Sequence, residues 1–299
     1  MPPQATPPTE RRNPRTTAID TLESREILRL LREEDARAVE AVGAATDALA
    51  RAVDEAHARL ARGGAVHYFG AGASGRLAVL DATEITPTFG APRGLFNAHF
   101  AGGTAAVADS SVDLEDSETL GAVDAAALGE TCVAVGITAS GSTPYVAGAL
   151  RAARAAGALT VLVTCNPGAP LLDVADIGVV ADTGPEALTG STRLKAGTAA
   201  KVILNAFSTA LMIKAGRTYG NLMVGLVASN AKLRERAVSL LAEATGDDEA
   251  RCRAALADAG GDIPQALVRL LTGCTPEEAR DALRGDVGVR AALAALGGR

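Results

Sequence analysis

Short apolar runs alternate with helical stretches along the middle of the chain, and this alternation constrains the fold more than any other feature. Residues 131–137 (TCVAVGI) are almost entirely apolar, as a β-strand covered on both faces requires. Other strand-like runs lie at 66–69, 95–98, 159–164 and 177–180. Strands that alternate with helices predict an α/β fold with a doubly wound parallel sheet of about five strands.

The segments around this sheet differ from it in composition. Residues 1–18 are rich in Pro, Thr and Arg, which predicts a flexible arm that could order against a partner subunit. Residues 19–62 have apolar positions at helical spacing and predict two N-terminal helices that pack on the core. The α/β domain then covers 63–240. Short helices predict a small helical C-terminal domain at 246–299, where 275–278 (TPEE) is a capping-box helix start.

Composition and charge exclude several classes of partner. The formal net charge of −6 makes nucleic acid an unfavourable partner, because a negative chain repels a phosphate backbone. We find no run of about 18 apolar residues and no apolar N-terminal stretch, so we expect a cytoplasmic protein without a membrane span or secretory signal. The four cysteines form no close CxxC pair, so we expect no disulfide framework and no metal.

The loop GAGASG at 70–75 follows a strand, opens a helix and matches the pattern GxGxxG. A dinucleotide site would also need an acidic residue after the next strand, and 85–108 contains none. The second interpretation is a site for another anion, held by Gly72, Ser74 and Gly75. As in a dinucleotide site, glycines let the backbone approach the anion and the helix N-terminus attracts it. A tight turn without a ligand is the third interpretation.

A second loop, TASGSTP, repeats the Ala-Ser-Gly triplet after a later strand. Its hydroxyls and glycine, on Ser140, Gly141, Ser142 and Thr143, could surround a phosphate without an added cation. Ordinary helix capping by one serine is the alternative. Both loops follow strands, so both should lie at the carboxyl edge of the sheet, where open α/β folds bind ligands.

A third hydroxyl-rich helix start lies further along the chain. Ser191 and Thr192 precede Arg193 and Lys195, and Glu186 lies just upstream. Cations are unfavourable in the first turn of a helix unless an anion or an acidic group is near. We therefore add Glu186, Ser191, Thr192 and Lys195 to the candidate phosphate-binding residues, with solvent-exposed charge as the alternative.

Two carboxylates are candidates for acid–base chemistry. Glu84 and Glu115 could divide the roles of acid and base if one pocket held both, although either alone would be an ordinary surface residue. His67 and His99 occupy strand positions, where a packed histidine is the simpler interpretation. The sequence contains no Ser-His-Asp order and no HExxH motif, so it does not support a serine or zinc hydrolase.

Several blocks of the chain closely resemble the N-acetylmuramic acid 6-phosphate etherases. The resemblance covers nearly the whole chain, and its most specific part is GPEALTGSTRLKAGTAAKVILN. The blocks lie at 9–20, 69–90, 101–103, 137–150, 164–171, 184–205 and 217–237. The resemblance implies the sugar isomerase (SIS) fold, which the glucokinase regulatory protein shares without that chemistry.

The resemblance also implies a reaction and its residues. Etherases of this family eliminate D-lactate from carbon 3 of the open-chain sugar and then add water, without a metal or organic cofactor. The product is N-acetylglucosamine 6-phosphate, an intermediate in the catabolism of cell-wall amino sugars. The family's two functional glutamates fall on Glu84, as the acid for lactate departure, and Glu115, for proton transfer at carbon 2 or activation of water. A homodimer is expected.

The chain departs from the family pattern near both glutamates. Thr83 replaces a serine beside Glu84, and SVDLEDS at 111–117 replaces a pattern like VEGAEDD, with Glu115 at the second glutamate of that pattern. Three alternatives stay open at this stage. They are a non-catalytic sugar-phosphate sensor on the same scaffold, an aldose–ketose phosphate isomerase and a nucleotide-dependent enzyme.

Overall fold

A computed structural model describes residues 6–109, 114–226, 231–285 and 287–297. The chain forms two compact units. The first contains Met1–Ala82 and Gly94–Ser208, and the second contains Thr83–Arg93 and Thr209–Arg299. The main part of the second unit thus begins about thirty residues before the domain boundary that composition predicts near 240–246. The second unit also includes residues 83–93, which composition assigned to the α/β domain.

The first unit is built on a five-stranded parallel sheet, as the alternating pattern predicts. Its strands are β1 Val66–Gly70, β2 Phe96–Phe100, β3 Val133–Ile137, β4 Leu159–Thr164 and β5 Ile177–Val180. They run in the order β2-β1-β3-β4-β5, and all pairs are parallel. Every residue of β3 and β4 is buried, which explains why these two segments are apolar without alternation.

The strand order reverses between β1 and β3. These two neighbours are in register from Val66 opposite Val133 to Gly70 opposite Ile137, so they end at the same height. The chain leaves β1 towards β2 on one side of the sheet, whereas β3 is followed by strands on the other side. A crevice opens at such a switch point, and ligands of doubly wound folds bind there.

In the described part of the first unit, seven α-helices begin. They are α1 Ser24–Gly43, α2 Thr46–Leu60, α3 Gly72–Phe89, α4 Gly103–Ala108, α5 Glu118–Asp124, α6 Pro144–Ala155 and α7 Lys195–Lys214. The helix predicted after 70–75 is present as α3, which begins at Gly72 and continues through Pro87 to Phe89. Proline has no backbone N–H, so the last turn of α3 contains one intrahelical hydrogen bond fewer.

Helix α7 is, among the described residues, the one helix long and apolar enough to cross a membrane by length and composition. Half of its apolar stretch is buried inside the protein. The buried positions recur every three or four residues, as at Ala199, Ile203, Phe207 and Leu211. One buried stripe at this spacing is what a core helix shows.

The N-terminal segment is packed rather than extended. Thr9, Asn13 and Thr16 are almost fully buried, and a short 3₁₀ turn covers Pro8–Glu10. The Thr16 hydroxyl donates to the Ala187 carbonyl oxygen at 2.8 Å. This differs from the flexible arm predicted for 1–18, because buried hydrogen bonds to the same chain hold the described part of it.

The second unit is helical and has its own core. Its helices are α8 Ala231–Thr245, α9 Glu249–Asp258, α10 Ile263–Thr272, α11 Pro276–Ala282 and α12 Val289–Ala295. Leu241, Cys252, Leu267 and Ala292 are buried in one cluster, so α8 packs with the helices that follow it. The predicted capping box is present, with Thr275 and Glu278 each accepting a backbone N–H from the other.

Candidate active site

The loop after β3 folds around one buried hydroxyl. Thr138 Oγ1 lies 2.7 Å from Thr143 Oγ1 and 3.3 Å from Ser140 Oγ, and it accepts the Gly141 N–H at 3.3 Å. Ser142 Oγ donates to Ser140 Oγ at 3.0 Å. The structure therefore brings the three predicted hydroxyls of this loop together. Thr138 was missed from the sequence because it ends an apolar run, although its place in TASGST was a signal.

Gly141 is required by the geometry of this loop. Its φ angle is +70°, and an added Cβ would lie 2.1 Å from the Cβ of Ala169. A side chain would therefore be strained by the backbone conformation and would also collide with the loop after β4. This geometry explains why the loop needs glycine at this position, and the phosphate contact predicted for Gly141 stays a prediction.

Asn166, in the loop after β4, is a second residue that the sequence reasoning missed. Its Nδ2 donates to the Ser140 carbonyl oxygen at 2.8 Å, and its Oδ1 accepts the Gly168 N–H at 3.0 Å. Asn166 is 8% exposed, so these bonds are shielded from water. It fixes the loop that carries the predicted phosphate-binding serines.

A cavity of about 550 Å³ opens beside this loop. Ser140, Ser142 and Asn166 line one side of it, and the N-terminal segment lines another. The residues lining the cavity are Thr6, Pro7, Pro8, Arg11, Ser140, Ser142, Asn166, Pro167, Gly168, Pro170 and Asp182. Hydroxyls, an amide and one guanidinium in one cavity can bind an oxyanion.

The loop after β1 lies at the neighbouring strand end. Gly72 begins α3 with a φ angle of +51°, and Ser74 is half-buried in its first turn. A Cβ on Gly75 would lie 2.6 Å from the Gly70 carbonyl oxygen and 2.5 Å from the ring of Phe100. Gly75 is therefore needed for close packing of the helix on the sheet, the third glycine role in a GxGxxG turn. Ser74 is not among the residues that line the cavity described above.

Glu115 lies beside the start of α6. Its carbonyl oxygen accepts the Tyr145 N–H at 2.9 Å, and its side chain is exposed. This backbone hydrogen bond lies beside a close contact between α5 and α6. The contact is close enough that a Cβ added to Gly148 would lie 1.9 Å from the Glu118 carbonyl oxygen. The structure thus brings Glu115 to the helix that directly follows Thr143. Residues 111–113 of this altered stretch lie outside the described residues.

Glu84 lies in the third quarter of α3, and its side chain is exposed. It is ten residues after Ser74, which corresponds to about 15 Å along the helix axis. It also belongs to the second compact unit. The meeting of Glu84 with the hydroxyl loops therefore stays a prediction.

Glu186 is fully buried and caps the start of α7. Its two carboxylate oxygens accept the backbone N–H groups of Lys195 and Ala196, each at 2.9 Å. Burial raises the pKa of this carboxyl, and the two backbone hydrogen bonds oppose that rise. A negative group at a helix N-terminus is favoured by the helix dipole. This contact gives Glu186 a structural role, in place of the direct substrate contact predicted for it.

Lys195 is also engaged within the protein. Its ammonium group is 1% exposed and lies 2.6 Å from Glu34 Oε2. Glu34 additionally binds the Arg15 guanidinium at 2.6 Å and the Asn13 amide at 2.8 Å. Burial alone would raise the pKa of Glu34, but the bonds from Arg15 and Lys195 outweigh it and lower that pKa to about 2. Glu34 neutralises the charge of Lys195 inside the protein. This arrangement therefore does not show the phosphate contact predicted for Lys195.

The other two predicted hydroxyls of this region lie beside the N-terminal segment. Ser191 and Thr192 are half-buried in the turn before α7. The preceding Gly190 donates its N–H to the Thr9 carbonyl oxygen at 3.1 Å. Neither hydroxyl lines the cavity beside Ser140, so the meeting of Ser191 and Thr192 with that loop stays a prediction.

The two strand histidines pair with each other. His67 Nδ1 and His99 Nε2 are 3.0 Å apart, and the ring of His99 stacks on Phe69 at 4.5 Å. Burial, together with the charge of His99, lowers the pKa of His67 to about 4. Burial also lowers the pKa of His99, while Asp124 opposes that shift. Both residues therefore pack against the sheet as half-buried neutral imidazoles.

No group of three or more His, Cys, Asp or Glu side chains within the described ranges could hold a metal ion. All four cysteines are free thiols. Burial raises the pKa of Cys165 to about 12, so this thiol stays protonated and unreactive near neutral pH.

The fold and the paired loops define an SIS-type α/β protein. Residues 48–154 match the family model of the glucokinase regulatory protein N-terminal SIS domain. Among solved structures, a phosphoheptose isomerase from Francisella tularensis superposes with a TM-score of 0.50 and 19% identity, covering 64% of this chain and 100% of that one. A likeness at this identity shows the fold alone.

Sequence relatives identify the family within this class. An N-acetylmuramic acid 6-phosphate etherase from Thermobifida fusca is 53% identical over 265 residues, which cover 89% of this chain and 87% of that protein. Etherases of the same name from Deinococcus radiodurans and Rubrobacter xylanophilus are 48% and 47% identical, over 93% and 95% of this chain and 92% and 95% of theirs. The chain belongs to the N-acetylmuramic acid 6-phosphate etherase family.

Proposed function

We propose that this protein cleaves the lactyl ether of N-acetylmuramic acid 6-phosphate and releases D-lactate and N-acetylglucosamine 6-phosphate. The observation that carries the proposal is 53% identity to an etherase over 89% of the chain. The serine-rich loop at the switch point of the sheet supports it, because the substrate is a phosphate ester and such loops suit an oxyanion. The reaction would place the protein in the catabolism of cell-wall amino sugars.

The phosphate-binding groups of this proposal are the hydroxyls at the ends of β1 and β3. Ser140, Ser142 and Thr143 are joined through hydrogen bonds that centre on Thr138 and Ser140. Ser74 would act from the neighbouring strand end, with Ser191 and Thr192 as further donors. Hydroxyls and backbone N–H groups at a helix start bind a phosphate because all of them can donate and the helix dipole is positive there.

The proposed reaction is a carbon–oxygen lyase reaction followed by hydration. In the open-chain sugar, the carbon 1 aldehyde delocalises the charge left when carbon 2 loses its proton. A double bond forms between carbons 2 and 3 as the carbon 3–oxygen bond breaks, and the departing lactate oxygen takes up a proton. Water then adds across the double bond, so neither an oxidant nor a metal is required by the balance of atoms and electrons.

Two carboxyl groups would carry these proton transfers. We assign Glu84 to the protonation of the lactate oxygen and Glu115 to proton transfer at carbon 2 or to activation of water. The backbone bond between Glu115 and Tyr145 supports the second assignment, because it keeps Glu115 next to the hydroxyl loop. Each positioned acid or base contributes roughly 10²–10⁴-fold to the rate.

A D-lactate assay tests the proposal. The wild-type protein should release D-lactate from N-acetylmuramic acid 6-phosphate, and Glu84→Gln and Glu115→Gln should each lose at least about 10²-fold in kcat while still binding N-acetylglucosamine 6-phosphate. Glu118→Gln is a matched control, because Glu118 is an exposed acid paired with Arg151 on the same helix pair. Wild-type turnover in both glutamine variants would remove these carboxylates from the mechanism.

We further propose that the active form is a cytoplasmic homodimer. The span of about 15 Å between Ser74 and Glu84 along α3 supports it, because a partner subunit would offer a second Glu84 to the hydroxyl loops. Mixing Glu84→Gln with Ser140→Ala tests this. If the site is shared, mixed dimers regain part of the activity that both variants lack. A monomer by light scattering contradicts the homodimer, and no recovery on mixing contradicts the shared site. Neither outcome affects the proposed reaction itself.

A further inference from the structure

The two hydroxyl loops contain no cation. Residues 70–75 and 138–144 include neither lysine nor arginine. The neighbouring Arg76 donates to the Val107 carbonyl oxygen at 2.7 Å and lies over the ring of Phe100, and Lys195 is paired with Glu34. A phosphate dianion bound by neutral donors alone would forgo the stronger charge-assisted hydrogen bonds.

Arg11 is the one cation among the residues that line the cavity beside Ser140 and Ser142. Its Nε donates to the Thr6 carbonyl oxygen at 3.2 Å, and this bond holds the guanidinium against the backbone five residues earlier. Within the described ranges, no protein group bonds the two terminal nitrogens of this guanidinium. Asp182 also lines the cavity, and its carboxylate accepts the Gly184 N–H at 3.0 Å.

Arg11 lies between two anchored points of the N-terminal segment. On one side, the Thr9 carbonyl oxygen accepts the Gly190 N–H at 3.1 Å. On the other side, the Asn13 amide donates to the buried Glu34 at 2.8 Å and to the Pro185 carbonyl oxygen at 3.2 Å. These bonds fix the backbone before a ligand arrives, which reduces the entropy lost when Arg11 binds one.

We propose that Arg11 binds the phosphate group of the substrate, in the cavity that it shares with Ser140 and Ser142. The terminal nitrogens of its guanidinium donate two charge-assisted hydrogen bonds to phosphate oxygens, a geometry that arginine favours. The N-terminal segment is then a wall of the sugar-phosphate site, and its anchors hold Arg11 in place. The inference rests on the proposed function for the identity of the sugar phosphate.

Calorimetric titration with N-acetylglucosamine 6-phosphate and with inorganic phosphate tests the role of Arg11. Arg11→Ala should weaken both ligands about tenfold, and it should raise KM for the lactyl substrate by a similar factor with kcat nearly unchanged. Arg11→Lys should recover part of the loss. Arg12→Ala is the matched control, because Arg12 is an adjacent exposed arginine that does not line the cavity.

Equal affinities in Arg11→Ala and Arg12→Ala would overturn the proposal, as would a loss of kcat with KM unchanged. Arg11→Gln, which keeps the length of the side chain, provides a second variant if Arg11→Ala lowers the melting temperature. The two proposals fail separately. A wild-type protein that binds N-acetylglucosamine 6-phosphate through Arg11 but releases no D-lactate contradicts the etherase activity alone.

Discussion

The carboxylate of Glu34 is a buried charge that is held by three side-chain partners. It is 3% exposed, and it binds the ammonium of Lys195, the guanidinium of Arg15 and the amide of Asn13. A buried charge is tolerated when it is paired and hydrogen-bonded, whereas removal of one partner leaves the other charge uncompensated. This cluster therefore joins α1, the N-terminal segment and the start of α7.

Glu34→Gln should lower the free energy of unfolding by about 3–5 kcal/mol, because it leaves the Lys195 ammonium buried without a counter-charge. Urea denaturation followed by circular dichroism measures the change. The double variant Glu34→Gln/Lys195→Met should be more stable than Glu34→Gln alone.

Glu33→Gln is the control for this prediction. Glu33 precedes Glu34 on α1 but is exposed and pairs only with the exposed Arg29 among the described residues. Its loss should stay within about 0.5 kcal/mol. Similar values for the two glutamine variants would show that the buried cluster contributes no special stability.

His67 makes the stability depend on pH. Its pKa in the folded protein is lowered to about 4, by burial first and by the charge of His99 second. Between pH 6.5 and 4 the unfolded chain takes up a proton that folded His67 does not, so stability is full above pH 6.5 and is lost as the pH falls. We expect a loss of about 3 kcal/mol over this window.

His67→Gln should reduce the slope of the stability curve between pH 6.5 and 4, because glutamine does not titrate, whereas His99, whose pKa burial also lowers, keeps part of the slope. Unfolding in urea at a series of pH values measures the slope for both proteins. Glu34 acts in a lower window, since its folded pKa of about 2 maintains stability above pH 4.5 that is lost towards pH 2. An unchanged slope above pH 4.5 in His67→Gln would contradict this account.

Helices α5 and α6 approach each other closely. An added Cβ on Gly121 would lie 1.9 Å from the Tyr145 carbonyl oxygen, and one on Gly148 would lie 1.9 Å from the Glu118 carbonyl oxygen. The two helices therefore pack backbone against backbone. The same contact keeps the Glu115 carbonyl next to the Tyr145 N–H, so the packing of two helices sets the position of a proposed catalytic residue.

Gly148→Ala should push α5 away from α6. We expect a loss of about 1–3 kcal/mol in stability and a larger proportional loss in kcat than in ligand affinity, since Glu115 would move. Gly129→Ala, at a glycine with nothing within 4 Å of an added Cβ, is the control and should behave like the wild type. Full activity with full stability in Gly148→Ala would show that α5 can shift without moving Glu115.

On the scale of the whole molecule, each compact unit has a core of its own. In the second unit, Leu241, Leu267 and Val268 are almost fully buried within one cluster. In the first unit, a separate cluster around Phe69 and Tyr145 packs against the sheet. A unit with its own core can open by local unfolding, and hydrogen exchange follows that opening unit by unit.

Leu267→Ala should destabilise the second unit by about 2–5 kcal/mol, because it leaves a cavity among buried side chains. Hydrogen exchange followed by mass spectrometry should show faster exchange in peptides from 231–285, with little change in peptides that contain β3 and β4. Ile213→Ala, at a half-exposed position of the same unit, is the control. Equal acceleration throughout both units would indicate one cooperative transition.

Much of the fold follows from patterns that are local in sequence. The predicted strands at 131–137 and 159–164 correspond to β3 and β4, because a strand buried on both faces must be apolar at every position. The loops at 70–75 and 138–144 are also recognisable from local sequence as candidate anion-binding loops. At a helix start, glycines expose backbone N–H groups to an anion, and serine and threonine add hydroxyl donors. The family was likewise evident from contiguous blocks of residues.

Only the tertiary structure decided which charged groups are free to bind a ligand. Lys195 was a reasonable phosphate ligand from its neighbours in sequence, but its partner Glu34 lies 161 residues away along the chain. Arg11 stood in a segment predicted to be flexible, and buried bonds from Asn13 place it at a cavity. Electrostatic pairing depends on distance through space, so strand–helix order can be read from the sequence whereas the pairing of charges cannot.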